Sequence, residues 1–199
     1  YDVDVARAVA EKLGLKIEFL TAPWDAMLAA FDAGKADAVF NQVSITDERK
    51  KKYEYSVPYT VVYGAILVHK DNNDIKSFED LKGKKNADSA TSNWAQVAKK
   101  YGAQNVTVDS FAKSMELLIA RRVDTVVRDN TVFYDFLKQR PDAPIKIAAK
   151  LKDVDYSAAI VQKGNKELAD QINKALNELK AEGKLKEISL KYFGKDVSE

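Results

Sequence analysis

The chain has 199 residues, 46% of them hydrophobic and 31% charged, enough to bury one large core or two small ones and too apolar for a disordered chain. Its 32 Lys and Arg against 30 Asp and Glu leave a formal net charge of +2, with both signs spread along the chain, which excludes the clustered basic footprint of a nucleic-acid binder. The absence of cysteine removes disulfides, thiolate metal sites and a Cys nucleophile, and no apolar run approaches the roughly 18 residues of a membrane span.

Val5, Val9 and Leu13 recur at helical spacing, and Gly14 stops the helix they predict. Leu15, Ile17 and Phe19 alternate, which predicts a strand over 15–20. Trp24, Met27, Leu28 and Phe31 mark a second helix ending at Gly34, followed by a short strand over 36–40. The apolar run 61–68 after Pro58 reads most simply as one strand. Helices are then predicted over 94–101, 111–120 and 131–138, with strands over 105–108, 123–127, 145–149 and 158–161. Leu168, Ile172, Ala175, Leu176 and Leu179 line one closing helix, and Leu185, Ile188 and Phe193 the other. Such alternation predicts an α/β protein with parallel-type sheets flanked by helices.

A weak internal repeat adds organisation. Lys12, Gly14 and Met27 recur as Lys100, Gly102 and Met115 at a constant offset of 88, and the copies close on Ala36-Asp37-Ala38-Val39 and Val123-Asp124-Thr125-Val126. Gly after a helix and Asp in a short strand are common, but matching order over about thirty residues points to two similar α/β lobes. Ligands of open parallel sheets bind beyond the carboxyl ends of the strands. Here those ends carry Asn41-Gln42-Val43-Ser44 and Arg128-Asp129-Asn130, so a cleft between two such lobes would have polar groups on both walls.

Arg49 follows the first strand end and offers a planar, two-pronged donor to a carboxylate. It also opens the run Arg49-Lys50-Lys51-Lys52, which alone reads as solvated helix surface. Ser44 and Thr46 offer hydroxyl and backbone donors to the same anion, or a turn and the cap of a short helix. Thr91-Ser92-Asn93-Trp94 precedes a helix, whose N-terminus suits an anion, although capping alone accounts for the motif. Asp129 is a natural partner for a ligand ammonium, and equally a helix cap or a partner of Arg128. Trp24 stacks on the apolar part of a ligand or joins the core. His69, the single histidine, has no nucleophile or ligand partner in its surroundings, and no zinc, P-loop or dinucleotide pattern is present, so neither catalysis nor a cofactor is expected.

Asn41-Gln42-Val43-Ser44-Ile45-Thr46-Asp47-Glu48-Arg49, followed by Tyr55-Ser56-Val57-Pro58-Tyr59, closely resembles the family 3 solute-binding proteins of amino-acid ABC transporters. Ser77-Phe78-Glu79-Asp80-Leu81-Lys82-Gly83-Lys84 and the closing Lys191-Tyr192-Phe193-Gly194 resemble two further signatures of that family. Asn41-Gln42-Val43 and Thr91-Ser92-Asn93-Trp94 are most similar to its cystine- and cysteine-binding branch. The resemblance implies a two-lobed fold of the type II periplasmic-binding-protein kind, with lobe 1 over 1–60 and 157–199, lobe 2 over 64–152, and hinge strands near 59–63 and 153–156. It implies a monomeric receptor, periplasmic or anchored outside the membrane, its signal segment outside this chain. Such a receptor captures a polar amino acid in the interlobe cleft, performs no chemistry on it and delivers it to the membrane permease.

In the family, the positions of Ser44 and Arg49 hold the α-carboxylate, aided by those of Ser92 and Asn93. Those of Asp129 and the Gln42 carbonyl take the α-ammonium, that of Trp24 packs on the side chain, and that of Asn41 lies at the pocket floor. Two departures follow. The family begins with a strand and an aromatic turn upstream of Tyr1, so the first lobe is expected to lack its N-terminal strand. Asp88 and Arg128 stand where cystine-type relatives carry uncharged polar residues, and the expectation is that the two neutralise each other. A dehydratase of cyclic acids and the sensor domain of a membrane receptor are rival readings on the same scaffold; the first needs a positioned general acid that the sequence does not offer.

Overall fold

A computed structural model describes residues 1–198 of the chain. Its first helix, α1 (Asp2–Lys12), ends where Gly14 takes a left-handed φ of +65°, letting Leu15 N–H close on the Ala10 carbonyl at 2.9 Å. The strand expected over 15–20 does not form. Alternation supplies faces, but a strand also needs a neighbour for its amides. No described strand pairs with this segment, and Leu15, Phe19 and Leu20 stay exposed.

The chain continues through α2 (Trp24–Asp32), β1 (Ala38–Ser44), α3 (Asp47–Lys52), β2 (Tyr53–Tyr55), β3 (Thr60–Val62) and β4 (Gly64–His69). The single strand expected over 61–68 is therefore two. Tyr63 leaves the ladder because its N–H donates to Asn130 Oδ1 at 2.8 Å and its carbonyl accepts the Asn130 N–H at 3.1 Å. Next come a 3₁₀ turn at 79–81, β5 (Lys85–Asp88), α4 (Asn93–Lys100), β6 (Gln104–Thr107), α5 (Phe111–Ile119) and β7 (Val126–Asp129). The last of these begins later than the expected 123–127, because Asp124 and Thr125 give their N–H groups to the Lys85 carbonyl. Then follow α6 (Asn130–Gln139), β8 (Ile145–Lys150), β9 (Asp155–Gln162), α7 (Lys166–Ala181) and α8 (Lys184–Phe193).

These elements form two compact units: one of 1–21, 27–62 and 155–199, the other of 22–26 and 63–154. In the first unit, β1, β2 and β3 all pair with β9. Val5 and Val9 of α1, Ala159 and Val161 of β9, and Ile172, Leu176 and Leu179 of α7 make its core. In the second unit, β7 and β8 flank β4, and β5 pairs with β6. Leu67, Met115, Leu118, Val126 and Phe133 make that core. The expectation of parallel sheets holds for β5–β6 and the Asn86–Thr125 bridge, whereas every ladder on β9 and β4 is antiparallel. β9 opens the chain's return to the first unit after residue 154 and runs against β1, β2 and β3, whereas β4 follows residue 62 and is met by the later strands β7 and β8.

Candidate functional site

Of the eight residues singled out in the sequence, Asn41, Gln42, Ser44 and Arg49 lie in the first unit, and Trp24, Ser92, Asn93 and Asp129 in the second. In the first unit the organising feature is an irregularity in β1. Val39 faces Ile160 and Val43 faces Ala158, so the intervening residues of β1 bulge out of register with β9. Gln42 there adopts φ +44°, a strained conformation for a non-glycine residue. Its N–H donates to Asp2 Oδ1 at 3.0 Å and to Tyr59 Oη at 3.1 Å, and its side-chain Nε2 donates to Asp2 Oδ2 at 3.3 Å. The fully buried Tyr59 completes the bracket by donating to Asp2 Oδ1 at 2.6 Å. Burial and the adjacent Asp2 hold its phenol well above the ordinary range, so Tyr59 remains a donor. Asn41, exposed on the bulge, reaches Met27 Sδ at 3.5 Å.

At the C-terminal end of β1, buried Ser44 offers its carbonyl to two donors, Tyr55 Oη at 2.8 Å and Arg49 Nη1 at 3.3 Å. Arg49 stands in α3, capped by the Thr46 hydroxyl, which accepts the Arg49 N–H at 3.2 Å. Arg49 belongs to a charged surface helix, and its side chain is half-buried and turned back to the strand end. That burial pulls its pKa down, partly offset by Tyr55, Tyr53 and Glu48.

In the second unit Ser92 caps α4, its Oγ accepting the Trp94 N–H at 3.2 Å and donating to Asp88 Oδ2 at 2.7 Å. The preceding Ala90 and Thr91 N–H groups donate to the carboxylate of Asp25, which also takes the Thr91 hydroxyl, while Trp24 Nε1 donates to Thr91 Oγ1 at 2.9 Å. The amides before α4 therefore do bind a carboxylate, and it is the chain's own. Asn93 is the first residue of α4. Asp129 ends β7 and caps α6 through Oδ1, which accepts the Val132 N–H at 3.2 Å and the Thr131 hydroxyl. It makes no pair with Arg128, which turns instead to Asp88 at 2.9 Å. Burial pushes the Asp88 carboxyl up, against the lowering pull of Arg128, Ser92 and Ser89.

Sequence reasoning missed the Asp2–Gln42–Tyr59 bracket, the Tyr55–Ser44 bond and the Asp25 clasp. Only the first left a trace: two polar residues, Asn41 and Gln42, interrupt the apolar strand Ala38 to Val43. Among the described residues no group of three or more His, Asp or Glu is placed to hold a metal ion, and no helix is long and apolar enough to cross a membrane.

Residues 1–195 match the family of bacterial extracellular solute-binding proteins, family 3. The chain is 43% identical over 199 residues to a probable amino-acid ABC transporter-binding protein of Haemophilus influenzae, covering all of this chain and 77% of that one. It is 40% identical over 199 residues to the L-cystine-binding protein TcyA of Bacillus subtilis, again along its whole length and over 74% of the relative. Among solved structures, an ancestral arginine-binding protein bound to glutamine superposes with a TM-score of 0.90 at 41% identity, over 98% of this chain and 87% of that one.

Proposed function

The chain belongs to the bacterial extracellular solute-binding proteins of family 3, and from that premise we propose that it captures a polar amino acid, of which cystine is the leading candidate, and passes it to the permease of an ABC transporter. The carboxylate of the ligand is assigned to Arg49 and Ser44, its ammonium to Asp129 and the Gln42 carbonyl. Trp24 and Asn41 serve the side chain. Of Ser92 and Asn93 at the start of α4, Asn93 carries the contact, because the hydroxyl proton of Ser92 goes to Asp88 and its N–H to the Ser89 carbonyl at 3.3 Å. The protein works outside the cytoplasm as a receptor and leaves its ligand unchanged.

The observation that carries this reading is Arg49 itself: a half-buried guanidinium bonded to the end of β1, beside a bulge that Asp2 and the buried Tyr59 bracket. A desolvated charge is kept where it meets a charge of the other sign.

Titration calorimetry of Arg49→Ala against L-cystine, L-cysteine and a panel of polar L-amino acids tests it. Removing one partner of a buried ion pair costs about 3–5 kcal/mol, so affinity should fall by more than about a hundredfold while the circular dichroism spectrum is unchanged. Near-normal affinity in the folded variant would overturn the assignment.

A further inference from the structure

One polar group buried in the second unit is left over. Arg128 Nη1 donates to Asp88 Oδ1 at 2.9 Å and reaches Ser92 Oγ at 3.5 Å. Its Nε is buried without a hydrogen-bond partner, and Nη2 donates to no acceptor among the described residues. The whole Nε–Nη2 edge of the guanidinium is therefore uncommitted, and a buried charged donor left in that state costs stability.

The side chain is nonetheless held in place. It is 21% exposed, the Phe111 ring lies 5.7 Å from its guanidinium carbon, and its partner Asp88 is 4% exposed. Asp88 is fixed in turn by the Ser89 N–H at 2.8 Å and the Ser92 hydroxyl at 2.7 Å. A flat guanidinium, fixed through Nη1 and with Nη2 uncommitted, keeps a charged donor for a ligand carboxylate. Its address is also defined. Arg128 reaches Ser92, the cap beside Asn93 at the start of α4.

We infer that Arg128 is a specificity-determining residue of the amino-acid site, taking a second carboxylate carried by the ligand beyond its amino-acid head group. This rests on the receptor reading and names the class of ligand within it: acidic amino acids and double-headed ones such as cystine. Asp88 neutralises Arg128 from behind without competing for the ligand, because its oxygens are buried and already accepting. A cationic ligand side chain finds no exposed acid in this pair, only the guanidinium.

Glutamate and glutamine differ in one side-chain charge, so the ratio of their affinities is the readout. Calorimetry with L-glutamate, L-glutamine, L-cystine and L-arginine is run on the unaltered chain, on Asp88→Asn/Arg128→Met, which leaves no buried carboxylate unpaired, and on Arg128→Lys, which keeps the charge without the flat edge. The unaltered chain is expected to bind glutamate and cystine more tightly than glutamine and arginine. Both variants should lose about tenfold or more of the glutamate-over-glutamine preference, with glutamine affinity little changed. A preference for glutamine or arginine in the unaltered chain, or an unchanged ratio in either folded variant, overturns the role of Arg128 while leaving the receptor reading intact. Failure of the unaltered chain to bind glutamate or cystine overturns the inference, and failure to bind any of a panel of polar L-amino acids removes the receptor reading as well.

Discussion

A serine hydroxyl has one proton to give, and Ser92 gives its own to Asp88 while accepting from Trp94. Its part is to brace the ion pair and cap a helix. Tyr55 raises the same question of allegiance, since it and Arg49 share the Ser44 carbonyl. Burial pushes the Tyr55 phenol up to about 12, against the lowering pull of Arg49. Its pKa in the folded state thus exceeds the ordinary 10.0, so the stabilisation is complete below pH 10 and lost as pH rises through about 12. Tyr55→Phe is expected to cost about 1 kcal/mol at pH 8 for the lost hydrogen bond. Between pH 10 and 12 that gap should shrink by a similar, solvent-screened amount. Urea denaturation of both proteins at pH 8 and pH 11.5 measures the two gaps; equal gaps would refute the assignment. The caps Thr46, Ser92 and Asp129 were legible in the sequence because capping acts over two or three residues. The Asp2–Gln42 and Asp25–Thr91 bonds were not, because they join residues 40 and 66 apart and depend on the finished fold.

Among the elements, periodicity served well wherever an apolar face met a partner. The helices came through, and strand ends moved by a few residues where a side chain diverted the backbone, as Asn130 does at Tyr63. The repeat shows why pattern alone falls short. Gly14 and Gly102 end α1 and α4 alike, at φ +65° and +86°, yet only the second copy goes on to form a strand, β6, because β5 is there to pair with it. The most demanding junction carries no sequence signal at all. A Cβ on Gly64 of β4 would lie 2.5 Å from the Trp94 ring and 2.9 Å from Leu151 Cδ1. The first turn of α4 thus sits directly on bare backbone of β4. Gly64→Ala should lower stability by about 1–3 kcal/mol through overpacking, and should weaken ligand binding as well, because Trp94 adjoins Asn93. Denaturation followed by tryptophan fluorescence gives the first number and calorimetry the second. A loss of stability below about 0.5 kcal/mol, the range of an ordinary surface substitution, would show that the contact relaxes freely.

For the molecule as a whole, the decisive feature is that two cores share one chain, which passes between the units after residues 21, 26, 62 and 154. The strands of entry, β4 and β9, lie inside their sheets, so each unit is closed around the segment that connects it to the other. Ligand at a hundred times its dissociation constant adds about 2.7 kcal/mol to the folded state. For 150–250 residues each kcal/mol raises the melting temperature by about 2–4 °C, so a rise of about 5–10 °C is expected. The same acid without its α-amino group should give almost none of it, because Asp129, 9% exposed, would then be covered without a positive charge to meet. Thermal melts with L-cystine, L-glutamate and the deaminated analogue of glutamate decide the matter. Equal shifts for glutamate and its analogue would remove Asp129 from the site, and the recognition of an amino acid as such would have to lie elsewhere.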